Sequence, residues 1–281
     1  MNTRTPYSIV LVPAILLTMS GTASPEEPAD EKARAEEFRA FASREAGMYN
    51  FRPANPDGSP FALKPEPILR WTNPVVGSIY GDVFVWTAKG RPEVIASFYK
   101  WYSPHAHRTN EFLSVSTGPI VGERGGQPVW TPALPGLEFK PLPDSPTPAT
   151  DAPQRLRQMR DLARGFTARQ TDRSGVDRDM RLLNQPLYRY EPSGDALIDG
   201  GLFVFVLGTD PEAFLLIECR TVEGQPRWEY ALTRMNSVEI RVSRGGHPVW
   251  TAELIPYRRA ASHLEPYTMF RFDPGGDPSR P

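Results

Sequence analysis

An eight-residue string occurs twice in this chain, Arg124-Gly-Gly-Gln-Pro-Val-Trp-Thr131 and Arg244-Gly-Gly-His-Pro-Val-Trp-Thr251, 120 residues apart. Internal repetition constrains a fold strongly, because each copy must bury the same kind of surface. Upstream, Pro67 to Tyr99 overlays Pro186 to Glu218 without a gap at an offset of 119. The matches there are Pro67/Pro186, Arg70/Arg189, Ile79/Ile198, Gly81/Gly200, Phe84/Phe203, Val85/Val204, Pro92/Pro211 and Glu93/Glu212. A one-residue slip between two matching blocks is what a single loop insertion leaves, so the chain reads as a duplicated unit.

Each copy carries a helical pattern followed by strand patterns. From Asp30 to Gly47, Ala35, Phe38, Phe41, Ala42 and Ala46 recur at three- and four-residue spacing and a glycine closes the run. A second helix is expected from Asp151 to Arg169, with Pro153 in its first turn and Leu156, Met159, Leu162, Ala163 and Phe166 as its stripe. Overlaying Phe38-Arg-Ala-Phe-Ala42 on Met159-Arg-Asp-Leu-Ala163 matches the two helices. In Asp82 to Thr87, Val83 and Val85 alternate with Phe84 and Trp86; Leu202, Val204 and Val206 alternate likewise with Phe203 and Phe205. Both faces of these strands are apolar, so both should be covered, one by a helix and one by the twin unit. The paired glycines of Arg-Gly-Gly-x-Pro admit positive φ and read as a β-hairpin turn. The expected fold is therefore α+β: two pseudo-repeats, each a helix followed by an antiparallel β-meander, packed as one β-rich assembly around Phe84, Trp86, Phe203 and Phe205.

The boundaries follow from composition. Residues 1–23 hold one charge, Arg4, an apolar run from Ile9 to Leu17, and Gly21-Thr22-Ala23 before an acidic stretch, the layout of a signal peptide cut after Ala23. The apolar run is too short to span a bilayer, which takes about 20 residues. Residues 24–136 form the first unit, 137–150 a proline-rich linker, and 151–257 the second unit; 258–281 is an extension with a disordered end from Asp273. The expected location is secreted or periplasmic, with no membrane span after cleavage.

The formal net charge of −1, about −2 once Arg4 is removed, gives no general attraction to nucleic acid. The sole cysteine, Cys219, lies in an apolar stretch without a partner, so no disulfide framework is expected. No phosphate loop, dinucleotide fingerprint, nucleophile elbow, paired Cys-x-x-Cys or metalloprotease helix is present, and no cofactor is expected.

Duplication sorts the remaining candidates. A residue present in both copies is explained most simply by the shared fold, so Arg70/Arg189 and Glu93/Glu212 read as structural, save for a site on the pseudo-two-fold axis. Among single-copy features, His105 and His107 stand at i and i+2 and point the same way, with Glu111 or Asp82 as a third ligand if a metal is held. Two solvated loop histidines are the plainer reading, and His247, which replaces Gln127 in the hairpin, reads as solvent-facing. Arg157, Arg160 and Arg164 read as a solvated helix face. In Phe98 to Tyr102, Tyr99 and Trp101 share one face and Phe98 and Tyr102 the other, so at least one set belongs to the core. A ligand is expected in a crevice along the shared edge of the units, lined by Trp101, Tyr102, His105, His107 and Arg108, whereas Arg220 to Arg227 forms an ordinary turn.

At Leu69-Arg-Trp-Thr-Asn-Pro74, Gly81 to Thr87, Gly90-Arg-Pro92, Gln158 to Ala163 and Pro186 to Tyr190, the chain resembles a group of uncharacterised exported proteins frequent in planctomycete-type bacteria. That resemblance implies export and no particular activity. The functional expectation is a non-enzymatic exported protein that binds an envelope or extracellular component. The alternative is a hydrolase or metal-binding protein using the His105/His107 loop.

Overall fold

The computed structural model describes residues 28–55, 57–191 and 196–273. The expected signal peptide and the stretch beyond Asp273 lie outside the described residues. In chain order the elements are α1 (Pro28–Gly47), β1 (Tyr49–Pro53), β2 (Ala62–Leu63), β3 (Leu69–Thr72), β4 (Ser78–Ala88), β5 (Arg91–Ser103), β6 (His107–Ser114), β7 (Ile120–Arg124), β8 (Gln127–Trp130) and β9 (Lys140–Pro141). There follow α2 (Ala152–Arg164), β10 (Phe166–Thr171), β11 (Asp177–Leu182), β12 (Tyr188–Tyr190), β13 (Leu197–Leu207), β14 (Asp210–Val222), β15 (Gln225–Arg234), β16 (Glu239–Arg244), β17 (His247–Ala252), α3 (Tyr257–Ala260) and β18 (Tyr267–Phe272).

The strands form antiparallel sheets. One runs β18-β6-β5-β4-β2 with β3 also on β4; a second runs β17-β16-β10-β11-β13-β14-β15-β9 with β12 also on β13; a third is β1-β7-β8. The first two face each other across an apolar layer in which Val83, Val85, Ile95 and Leu113 meet Leu202, Val204, Phe214 and Leu216. The opposite face of β4 turns Phe84 and Trp86 towards Phe38 of α1 and Phe51 and Trp130 of the small sheet. The opposite face of β13 turns Phe203 and Phe205 towards Met159 of α2 and Ile240 and Val242 of the β16 arm. Strand alternation thus fills both faces, as the sequence pattern requires. The centre differs from expectation: mostly aliphatic side chains, with Phe214, make the layer between the sheets, and the four aromatics expected there fill the outer layers instead.

Both Arg-Gly-Gly turns are two-residue hairpins, with φ of 57° and 78° at Gly125 and Gly126 and 57° and 82° at Gly245 and Gly246. Gln127 and His247 are both exposed. A different constraint acts at Gly81 and Gly200, where a Cβ would fall inside the Trp71 and Tyr190 rings respectively. An aromatic from β3 or β12 lies flat over each glycine and covers the bare backbone.

Three boundaries differ from expectation. The helix α2 stops at Arg164 because Gly165 ends it, and Phe166 then begins β10 with its side chain still in the core. Part of the expected linker is ordered: β9 pairs with β15, and Leu137 and Leu142 are buried. Order also continues beyond Tyr257, since β18 pairs with β6 from Tyr267↔Leu113 to Phe272↔Arg108. The connection between the halves therefore extends the second sheet, while the C-terminal strand extends the first.

Candidate binding crevice

Where the facing sheets part, the longest strands carry polar side chains into the layer between them. Of the five residues expected to line a concave surface, alternation separates two from two. Trp101 and His107 face the second sheet and line a cavity of about 980 Å³. Tyr102 and Arg108 face α1 instead. The Tyr102 hydroxyl donates to Glu37, and the Arg108 guanidinium lies 5.6 Å from the Phe41 ring and 5.5 Å from the Phe272 ring. His105 sits at the turn with its ring 5.6 Å from Trp101. Across from it, His107 is 5.9 Å from the same indole and its Nδ1 is 3.3 Å from Thr109 Oγ1. Burial, then the positive charge of Arg271, lowers the His107 pKa. Asp82 is not with the histidines; it lies under α1 beside Arg70 and Arg39, its pKa raised to about 6 by burial against the pull of both arginines. Among the described residues no three His, Cys, Asp or Glu side chains converge as metal ligands would.

The inner wall of the cavity is made by Trp71, Tyr99, Glu111, Asp210 and Glu212. Tyr267 Oη donates to Glu111 at 2.8 Å, and Asn236 donates to Glu212. None of the three acids has a cation within ion-pair distance among the described residues. Elsewhere the buried carboxylates do: Glu45 has Arg124 at 3.1 Å, Asp199 has Arg155 at 2.8 Å and Arg189 at 2.7 Å, and Glu218 has Arg91 at 3.0 Å and Arg220 at 2.7 Å. The electrostatic consequence is direct. Burial raises Glu111 to about 8 and Glu212 to about 7, the latter against hydrogen bonds from Asn236 and Gln170. Burial and then the two glutamates raise Asp210 as well. Arg173 and Arg271, at the mouth, are already engaged. Arg173 donates to Ser237 Oγ at 2.8 Å and lies 3.7 Å from the Tyr257 ring centroid, while Arg271 pairs with Asp273 at 3.7 Å.

A second cavity of about 640 Å³ lies between β15, β17 and the connections around Leu137 and Pro256. Its acids Glu138, Glu253 and Glu265 are exposed and interspersed with Lys140, Arg234 and Arg259, so its charges are balanced and wet.

The sequence offers Glu111 only as a metal ligand, Glu212 as a structural residue and Tyr99 as part of an aromatic strand face, and does not single out Asp210 or Trp71. The signal for the acids was present at the strand starts. Arg91-Pro92-Glu93 opens β5 with Pro92 opposite Thr87, and Asp210-Pro211-Glu212 opens β14 with Pro211 opposite Val206. Glu93 has Arg91 at 3.0 Å, whereas Glu212 has an acid in that place. Glu212 therefore differs from Glu93 in its surroundings, because its neighbour two residues before, not the residue itself, changes between the two strands.

Comparison with known proteins finds no matching family model, no matching curated protein and no matching solved structure.

Proposed function

We propose that this is an exported, duplicated binding protein whose ligand site is the crevice between its two units. Support for the duplication comes from paired elements. The meanders β4-β5-β6 and β13-β14-β15 run in the same order, and β1-β7-β8 has its counterpart in β10-β16-β17. Registers agree too: Val94 faces Ser114 as Ala213 faces Arg234, and Tyr49 faces Arg124 as Phe166 faces Arg244. The one-residue slip falls between β5 and β6. Five residues separate the partners Trp101 and His107, and six separate Arg220 and Arg227, where Glu223 and Gly224 form a tight positive-φ turn. On this reading the helices match one turn away from the sequence overlay. The buried positions 38, 42, 45 and 46 of α1 correspond to 155, 159, 162 and 163 of α2.

One observation carries the functional reading: a cavity of about 980 Å³ is walled by aromatic rings and by three acids with no cation within ion-pair distance among the described residues. A concave site with apolar walls and few converging polar groups is how small ligands are held. The walls stand on paired strands, which hold them in place without a ligand. Export rests on residues 1–23, and no described helix is long and apolar enough to cross a membrane. Trp71 and Trp101 line the cavity, so ligand entry should change tryptophan fluorescence and raise the melting temperature together. Screening the mature chain by both readouts tests the reading; a panel of cationic, neutral and anionic small molecules that moves neither would refute it.

A second reading is a hydrolase using Glu111 or Glu212 as general acid, favoured by carboxyl groups that titrate near neutrality. Turnover of a glycoside, ester or phosphate substrate that disappears in Glu111→Gln would establish it. Loss confined to a His105→Ala, His107→Ala double variant would instead place the chemistry at the loop.

A further inference from the structure

We propose that the crevice binds a small organic cation, one bearing a guanidinium or primary ammonium group, which takes there the place that the Arg91 guanidinium takes at the opposite end of the same interface. The inference rests on the crevice being the ligand site and on the duplicated reading of the chain.

The two ends of the interface solve the same problem differently. At one, Arg91 reaches from β5 to the facing sheet, and its Nε donates to Glu218 at 3.0 Å. Its Nη1 donates to Glu93 Oε1 at 3.0 Å and to the Val115 carbonyl at 3.1 Å. Phe139 lies over that guanidinium at 5.5 Å, and Tyr190 Oη donates to the same Glu218 oxygen at 2.9 Å. A protein-borne cation fills the space, neutralises the acids and stacks on an aromatic ring. At the other end the corresponding positions are Asp210 for Arg91, Glu212 for Glu93, Tyr99 for Glu218 and Trp71 for Tyr190. Position for position, the arginine has become an acid and the space it would fill is the cavity. Glu111, whose counterpart is Ala231, adds a third carboxyl.

What remains is an aromatic and carboxylate lining of the kind that receives organic cations. Ring faces attract a positive charge, and carboxylates accept its N–H donors. Buried acids left without a counter-charge hold protons instead, and a cation that enters must displace them. Binding should therefore strengthen as pH rises from about 6 to about 8.5, roughly tenfold for each unit over which one proton must be released. The other ionisable groups at this cavity are His107, Asp172, Arg173, Arg271 and the Tyr99 and Tyr257 phenols, with the Tyr267 phenol on Glu111. Among them the His107 imidazole, its pKa lowered first by burial, loses positive charge as pH rises. That loss acts in the same direction.

The test uses the mature full-length chain, with agmatine and 1,4-diaminobutane as probes and 1,4-butanediol and succinate as neutral and anionic controls. Calorimetry and thermal shift should give saturable binding of at least one cation in the micromolar to millimolar range and none of the controls. Glu111→Gln and Glu212→Gln should each weaken it at least tenfold, and Glu93→Gln, at the filled end, should not. Saturable binding of 1,4-butanediol or succinate with no cation binding would overturn the cation class while leaving the crevice as a site. Cation binding that is indifferent to both cavity variants would overturn the placement. No binding of any of the four, with tryptophan fluorescence unchanged, would count against this proposal and against the binding reading together.

Discussion

Replacing Glu111 by glutamine should stabilise the protein increasingly as pH rises above about 4.5, up to about pH 8. Glu111 is 8% exposed, accepts a hydrogen bond from Tyr267 and has no cation within ion-pair distance among the described residues. Its carboxyl is raised from the ordinary 4.5 to about 8, first by burial. A group whose native pKa lies above its unfolded value contributes stability that is complete below the unfolded pKa and is lost as pH rises to the native one. Below about pH 4.5, wild type and variant should therefore differ by less than about 1 kcal/mol, because each presents a neutral acceptor to Tyr267. Between there and about pH 8 the wild type should lose stability relative to the variant by up to about 1.4 kcal/mol per unit, about 5 kcal/mol in all as a ceiling. Urea unfolding of both proteins at about pH 4, 6 and 8.5 measures the difference directly. A gap that stays constant with pH, or a variant that is the less stable one at about pH 8.5, would refute the reasoning. The second result would mean that Glu111 is ionised and paired.

Three other perturbations probe separate parts of the molecule. Asp210→Arg restores at the cavity what Arg91 supplies at the other end; it should raise the melting temperature at about pH 8 by a few degrees, equivalent to about 1 kcal/mol, and abolish cation binding in calorimetry. Gly81→Ala forces a methyl group into the Trp71 ring and should cost about 1–3 kcal/mol in urea unfolding, as an overpacked site does. Cutting the chain after Pro143 leaves β9 on the first fragment and β18 on the second, although each pairs with the other half's sheet. The fragments should co-purify as one folded complex when expressed together and be insoluble or unfolded alone.

Much of the fold was legible in the sequence because it depends on local chemistry. Paired glycines set the hairpins, and double-sided apolar strands demand two cover layers. What was not legible depends on long-range pairing. The strands β1 and β10 are short and follow helices directly, so their alternation merges with the helical stripe; Phe166 shows this by fitting both periods. The edge strands β9 and β18 carry proline-rich or polar neighbours and become strands only because an edge of the other half accepts them. The cavity was half legible. Trp101 and His107 stand out as lining candidates and Glu111 as a metal-ligand candidate, but Tyr102 and Arg108 are grouped with the first two although strand alternation sends them to the other face. Asp210 needed a different question, namely which position of the two aligned segments carries opposite charges, Arg91 in one and Asp210 in the other.

If the crevice holds acids kept protonated for want of a cation, the proton balance of binding reports on them most directly. Agmatine titrated calorimetrically into the mature chain at about pH 7, in two buffers of different ionisation enthalpy, gives that number. The expected result is net release of about one proton per ligand bound, abolished in the Glu111→Gln, Glu212→Gln double variant. Binding with no proton exchange, proton uptake, or no saturable heat would contradict it.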